Sequence, residues 1–312
     1  MSPVVAVFPG QGSQRVGMAR GFYAASPAAR AVLDAAEAAL PGLLSLMWEG
    51  PEEELRLTAN QQPALVAAGA AAYAAWLEAG GETPAFAAGH SLGEYTALVA
   101  AGSLDVADAV RLVRARGTYM QEAVPAGQGA MAAVLKVEAA VVEAALREAR
   151  EAGVVEVANY NAPGQTVISG HAAAVARAGA LLKERGARAV PLKVSAPFHC
   201  SLMAPAAERL AADLARVPFR EPAFPVVANV TARPLPAAAA APGLLAEQVT
   251  GSVRWVETLR WLAAEAGPDA RFVELGAGEV LTGLIARTLP GAQAAAVEDP
   301  EGLEEVLSTH AG

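Results

Sequence analysis

Residues 87–95 read Ala-Ala-Gly-His-Ser-Leu-Gly-Glu-Tyr and lie between an apolar run and an alanine-rich run. Pro84–Ala88 has the texture of a short strand, and Leu92–Ala100 that of a short helix. Strand, Gly-x-Ser-x-Gly, helix is the nucleophile-elbow pattern. The serine occupies a strained turn, and its glycine neighbours lack the Cβ atoms that would keep strand and helix apart. A helix opening at Leu92 directs its free N–H groups and dipole at an acyl oxygen bound beside Ser91. The same pattern also occurs in plain strand-to-helix turns, so the partner residues must decide.

A serine nucleophile needs a base, and the chain holds four histidines. His90 adjoins the serine and is expected to project away from its side chain. His171 follows Ser169-Gly170 at the end of a predicted strand. His310 is near the C-terminus, where hydrolases of the α/β class place a late histidine, but no strand leads into it. His199 lies in Ser195-Ala196-Pro197-Phe198-His199-Cys200, where the chain re-enters its main domain, and a junction residue is well placed to line a cleft. No acid is close by in sequence to complete a triad with His199. A carbonyl can orient an imidazole instead, which gives a Ser-His dyad suited to thioester exchange.

Helical rise places one cation near this pair. The helix from Leu92 climbs roughly 14 Å, and a returning helix capped by Ser103 descends roughly 18–20 Å by Arg116, back to the level of Ser91. Arg114, two positions earlier, faces another side. An arginine beside a nucleophile can hold a carboxylate bidentately, which would make the acyl donor a dicarboxylic half-ester; the alternative is a surface salt bridge.

The rest of the chain sets the fold class. Val4–Phe8 predicts a strand before the Gly-rich loop Pro9-Gly10-Gln11-Gly12-Ser13-Gln14. That loop fails both nucleotide fingerprints: Arg15 stands where a dinucleotide site needs glycine, and Met18 follows Gly17 where a Walker loop needs lysine. Helices are expected over Pro27–Leu40, Gln62–Ala79 and Ser103–Val124. Residues 127–194 then predict strand, helix, strand, strand, helix, strand, the split βαβ order of a ferredoxin-like unit. A helix at 201–215, a strand at 224–230, a loop over the Pro/Ala-rich stretch 232–243, a helix at 252–265, a strand at 271–275 and a helix at 279–288 follow. The expected fold is α/β: a large α/β-hydrolase-like domain of 1–126 and 195–312 around a parallel sheet, with a small inserted α+β subdomain at 127–194.

Composition narrows the function. With 312 residues, 54% of them hydrophobic, the chain can bury a large core. No uninterrupted apolar stretch reaches the ~18 residues of a membrane span, and the first residues lack a basic region and cleavage site, so a cytoplasmic protein is expected. Cys200 is the only cysteine, which excludes an intramolecular disulfide and a thiolate metal cage. A net charge of −9 argues against a nucleic-acid surface.

Several stretches together resemble the malonyl-CoA:acyl-carrier-protein transacylase family of fatty acid synthesis, related to polyketide-synthase acyltransferase domains. They are Phe8–Gln14, Gly89–Glu94, Arg116-Gly117 with Met120–Ala123, Asn159–Gln165 and Pro197-Phe198-His199. They span nearly the whole chain, in order. The resemblance implies that Ser91 is the nucleophile and His199 its base, with the amides of Gln11 and Leu92 as oxyanion hole. It implies that Arg116 binds the malonyl carboxylate, with Met120 in the same substrate-binding stretch, and that Gln248 fixes His199 through its carbonyl. It implies no metal or cofactor, malonyl-CoA as donor and the phosphopantetheine thiol of acyl carrier protein as acceptor. Phe198 stands where many fatty-acid transacylases carry a small residue, a departure that still favours malonyl over methylmalonyl donors. A carrier protein is acidic, so an acidic chain needs a local basic patch; Lys183, Arg185, Arg188 and Lys193 are the candidates, against a plain solvated edge. A monomer is expected. The rival readings are a serine thioesterase using His310 and a non-catalytic binding module.

Overall fold

The computed structural model describes residues 2–194 and 196–309. The chain opens with β1 (Val4–Phe8), α1 (Arg20–Ala25), α2 (Pro27–Ala39), α3 (Leu43–Glu49), α4 (Glu52–Leu55) and α5 (Thr58–Glu78), then β2 (Phe86–Gly89), α6 (Gly93–Ala100) and α7 (Val106–Glu122). A second group follows: β3 (Gly129–Leu135), α8 (Ala139–Ala149), β4 (Val155–Ala162), β5 (Gln165–His171), α9 (Ala172–Glu184) and β6 (Arg188–Pro191). The remainder is α10 (Ala204–Leu214), β7 (Val226–Ala228), β8 (Arg233–Pro234), α11 (Ala241–Thr250), α12 (Trp255–Ala266), β9 (Arg271–Leu275), α13 (Val280–Thr288), β10 (Gln293–Val297) and α14 (Pro300–Ser308).

The main sheet has the order β10-β9-β1-β2-β7-β8, parallel except for the β7–β8 pair at one edge. All five residues of β1 are buried, which is why this strand reads as an unbroken apolar run. The small sheet has the order β4-β5-β3-β6, with every pair antiparallel. This is the strand order of the ferredoxin-like unit, and α8 and α9 close their own apolar core against it, including Val134, Val142, Leu146, Ile168 and Leu182. The mixed α/β class with a parallel-rich sheet and a second small antiparallel sheet is as expected. Strand β4 of the small sheet pairs with the loop between α11 and α12: Tyr160 N–H donates to Val253 O at 2.9 Å, and Val253 N–H to Ala158 O at 2.8 Å.

Helix α5 is apolar all round because it is buried all round, and its small residues let neighbours approach closely. A Cβ on Gly117 of α7 would lie 2.6 Å from Thr58 O and 2.7 Å from Ala59 Cα. Pro63 sits inside α5 and offers no N–H to Ala59 O, four residues back. That carbonyl accepts from Arg114 Nη1 at 3.2 Å instead, so α7 supplies the bond that the proline removes.

Several boundaries differ from the sequence expectation. Helix α5 starts at Thr58, four residues before the expected Gln62; the polar side chains of Asn60 and Gln61 in its first turn donate back to Glu54 O and Arg56 O. Ser103 does not cap α7; the helix begins at Val106 after Asp105. Strand β4 runs on to Ala162 and takes in Asn161, leaving the tight turn to Pro163-Gly164. The stretch 232–243 is not all loop, since β8 and the first turn of α11 lie within it. Proline and glycine in that first turn mark a helix start, where a missing N–H costs nothing. Sequence reading assigns no element to 293–308, which forms β10 and α14; Ala-rich β10 lacks the β-branched signature of a strand. No single helix among the described residues is long and apolar enough to cross a membrane.

Candidate active site

The site forms at the carboxyl ends of the central parallel strands, where open α/β sheets place their ligands. Phe8, at the end of β1, pairs with Gly89, at the end of β2. The chain then turns so sharply that a Cβ on Gly89 would lie 1.9 Å from the Gly93 carbonyl. A Cβ on Gly93 would lie 2.1 Å from Phe8 O, and one on Gly10 would lie 2.5 Å from His90 O. Bare backbone at these three positions lets the Pro9–Gln11 loop and α6 close around Ser91. Ser91 itself has φ 51°, left-handed for a residue with a side chain.

Ser91 Oγ lies 2.7 Å from His199 Nε2. His199 Nδ1 lies 2.9 Å from the main-chain oxygen of Gln248 and 3.2 Å from that of Gly251. Both are acceptors only, so Nδ1 carries the proton and Nε2 is free to accept from Ser91 Oγ–H. Burial, and next to it the charge of Arg116, push His199 down to about 3, with the two carbonyl bonds opposing the shift. The imidazole is therefore neutral near pH 7 and can take a proton from the hydroxyl. The orienting group is a carbonyl, as the missing acid required, and it belongs to the main chain of α11.

Arg116 is fully buried behind Ser91. Its Nη2 donates to Ser91 Oγ at 3.2 Å and to Gln248 Oε1 at 3.0 Å, and its Nη1 donates to Gln62 Oε1 at 2.8 Å. Its Nε is buried and has no partner among the described residues. Helical rise predicted this level correctly, although the helix is capped differently. Arg114 points elsewhere, to Asn60 and Ala59.

A cleft of about 580 Å³ leads to this pair, lined among others by Gln11, Ser91, Asn159, Lys193, Phe198 and His199. The amide N–H groups of Gln11 and Leu92 have no backbone acceptor among the described residues. Phe198 forms part of the cleft wall while packing into the main core. Met120 is different: it is 1% exposed on α7, one turn beyond Arg116, and does not line the cleft. The four basic residues have different neighbours. Lys193 lines this cleft, Lys183 and Arg188 line a neighbouring groove, and Arg185 is ion-paired with Glu148. His90 turns away from Ser91, with Nε2 2.7 Å from Asn161 Oδ1 and its ring edge-on to Trp255. His310 lies outside the described residues.

Three residues that sequence reading gave no role belong to the same network. Glu94, 1% exposed, accepts from Asn229 N–H at 3.0 Å and from Gln248 Nε2 at 2.7 Å. Burial raises its carboxyl to about 7, against the opposing bonds from Asn229 and Gln248 and the charge of Arg116. Asn229 holds the elbow backbone, and Gln62 holds Arg116. Asn229 stands just past β7, and a polar residue at the carboxyl end of a parallel strand is the signal that could have found it.

The acyl transferase domain family matches residues 5–301. The malonyl CoA-acyl carrier protein transacylase of Escherichia coli (strain K12) is 46% identical over 309 residues, covering 98% of this chain and 99% of the relative. The chain belongs to the malonyl CoA-acyl carrier protein transacylase family. Solved structures agree with that membership. The acyl-carrier-protein S-malonyltransferase of Burkholderia pseudomallei 1710b has a TM-score of 0.94 at 46% identity, covering 98% of this chain and 99% of that one. A malonyl-transacylase in complex with its type II PKS acyl-carrier protein has a TM-score of 0.94 at 44% identity, covering 99% of this chain and 100% of that one.

Proposed function

We propose that this chain transfers a malonyl group from malonyl-CoA to the phosphopantetheine thiol of an acyl carrier protein, through an ester on Ser91, and so supplies fatty acid biosynthesis. The observation that carries the reading is the pair of contacts on one oxygen: Ser91 Oγ meets His199 Nε2 at 2.7 Å and Arg116 Nη2 at 3.2 Å. A neutral base activates the hydroxyl, while a buried cation stands where the free carboxylate of a malonyl group would lie. A plain fatty acyl group would have no use for that cation.

The reaction runs in two halves. Ser91 Oγ attacks the thioester carbon as its proton passes to His199 Nε2. The carbonyl oxygen becomes an oxyanion held by the Gln11 and Leu92 N–H groups, each such donor being typically worth ~3 kcal/mol. Collapse breaks the carbon–sulfur bond, and the CoA sulfur leaves with the proton from His199. The carrier thiol then gives its proton to Nε2 and attacks the ester, and Ser91 recovers its proton as it leaves. General-base help of this kind contributes about 10²–10⁴-fold. The Gln248 and Gly251 carbonyls hold the imidazolium through Nδ1–H in both halves.

The finer assignments belong to the same proposal. Residues 127–194 act as a subdomain on a catalytic domain of 1–126 and 195–312, which their separate apolar core supports. Phe198 narrows the cleft against a branched malonyl group. Met120 acts from beneath, packing in the core near Arg116. Lys183, Arg188 and Lys193 meet the acidic carrier protein. The enzyme works as a cytoplasmic monomer and needs no metal or redox cofactor. A carrier protein of a polyketide pathway is a second acceptor with the same chemistry, favoured by the likeness to a malonyl-transacylase bound to a type II PKS carrier protein.

Intact mass after mixing with malonyl-CoA alone tests the reading. The expected result is a gain of one malonyl group that is absent in Ser91→Ala. Free malonate without a gain in mass would make water the acceptor and the enzyme a thioesterase.

A further inference from the structure

Ser91 lies in a backbone conformation that its own side chain disfavours, so its surroundings must hold it. Two side chains from distant elements do so. Asn229 Oδ1 accepts from Ser91 N–H at 2.7 Å, and Asn229 Nδ2 donates to Gly89 O at 2.7 Å. The amide thus spans the elbow and uses each end once. Turned over, it would set NH₂ against N–H and oxygen against oxygen. Gln248 Nε2 donates to Ser91 O at 3.0 Å. Glu94 ties the two residues together, accepting from the main-chain N–H of Asn229 and from the side-chain Nε2 of Gln248 through one carboxyl oxygen. All three side chains are buried.

The consequence lies on the far side of the Ser91–Leu92 peptide. In a planar trans peptide the C=O and the following N–H point in opposite directions. A bond that draws Ser91 O into the Glu94–Gln248 network therefore turns Leu92 N–H away from it. We propose that Asn229 is a positioning residue for acylation: with Glu94 and Gln248 it locks the peptides on both sides of Ser91 and so aims the Leu92 N–H at the developing oxyanion. The inference rests on the reading of Ser91 as nucleophile. Asn229 bonds the Ser91 backbone and not Oγ, and it does not itself line the cleft, so its effect falls on geometry and not on substrate affinity.

Rapid-quench intact mass, following malonyl uptake at several malonyl-CoA concentrations, tests it on the full chain. For Asn229→Ala, with rates taken per folded molecule, the maximal acylation rate is expected to fall on the order of 10–100-fold. The half-saturating malonyl-CoA concentration is expected to stay within about threefold of the unsubstituted chain, as for an interaction that matters only in the transition state. A maximal rate per folded molecule within about twofold of the unsubstituted chain would overturn the inference, as would a loss confined to half-saturation. If Asn229→Ala does not fold, Asn229→Ser carries the same expectations, since its hydroxyl keeps the site polar but falls short of both partners. An unsubstituted chain that takes up no malonyl would instead overturn the reading of Ser91, and this inference with it.

Discussion

Ser91 and His199 both hold a left-handed backbone, at φ 51° and 56°, and their side chains meet at 2.7 Å. Each such conformation costs a residue with a Cβ roughly 1–2 kcal/mol, so neither arises without support from the fold. Ser91 is held by Asn229 and Gln248, and the His199 ring by the Gln248 and Gly251 carbonyls. Gln248 serves both residues, its side chain on one and its main chain on the other. The pair is thus organised before substrate arrives, and little rearrangement remains for the reaction step.

Arg116 shares its Nη2 between Ser91 Oγ and Gln248 Oε1. If it holds the malonyl carboxylate, Arg116→Ala should cost about 3 kcal/mol of binding, roughly 10²-fold in kcat/KM for malonyl-CoA. Acetyl-CoA, which has no free carboxylate, should lose far less. Steady-state rates with both donors check this, and an equal loss for the two would remove the carboxylate role.

Phe198→Ser should widen the cleft and relax discrimination against methylmalonyl-CoA. One methyl group is worth only ~1–3 kcal/mol in a hydrophobic pocket, which bounds the gain. The measurement is the ratio of kcat/KM for the two donors; an unchanged ratio would count against Phe198 as selector.

The pH dependence of stability carries two opposing slopes. His199 is lowered to about 3 from an ordinary 6.5, so its contribution is full above pH 6.5 and is lost as pH falls towards 3, because the unfolded chain binds the proton first. Glu94 is raised to about 7 from an ordinary 4.5, so its contribution is full below pH 4.5 and is lost as pH rises through 7. Between pH 4.5 and 6.5 the two offset each other. Glu94→Gln removes one slope, and stability should then rise more steeply with pH across that window. Urea unfolding at stepped pH reads it; identical slopes in the two proteins would refute the assignment.

Charge reversal at Lys183 and Arg188, which do not line the Ser91 cleft, should raise KM for the carrier protein and leave hydrolysis of malonyl-CoA unchanged. Reversal at Arg185 should do less, since it is already paired with Glu148. Equal effects of the double reversal on both reactions would sink the docking role.

The site was legible in the sequence wherever neighbours in the chain dictate it. Gly89, Ser91 and Gly93 announce a tight turn because only bare backbone allows the 1.9 Å and 2.1 Å approaches that a Cβ would make there. Arg116 was placed by helical rise alone. Asn229 and Glu94 were not legible as partners: one follows a three-residue strand, the other hides in the first turn of α6. Met120 and Arg185 kept their places in the chain, but packing turned one into the core and an ion pair captured the other.

By itself the sequence determined the elbow and most elements before residue 290, because backbone sterics and apolar periodicity act over a few residues. It also determined the strand-helix-strand-strand-helix-strand order of 127–194, where a tight turn at Pro163-Gly164 joins β4 to β5 and one helix links each of the other consecutive strand pairs. Only the tertiary structure decided which histidine meets Ser91, which carbonyls orient it, and which amides hold the strained turn. Those bonds join residues 49 to 157 positions apart. Their geometry depends on how the parallel sheet returns distant strand ends to one edge, and no local preference encodes that return.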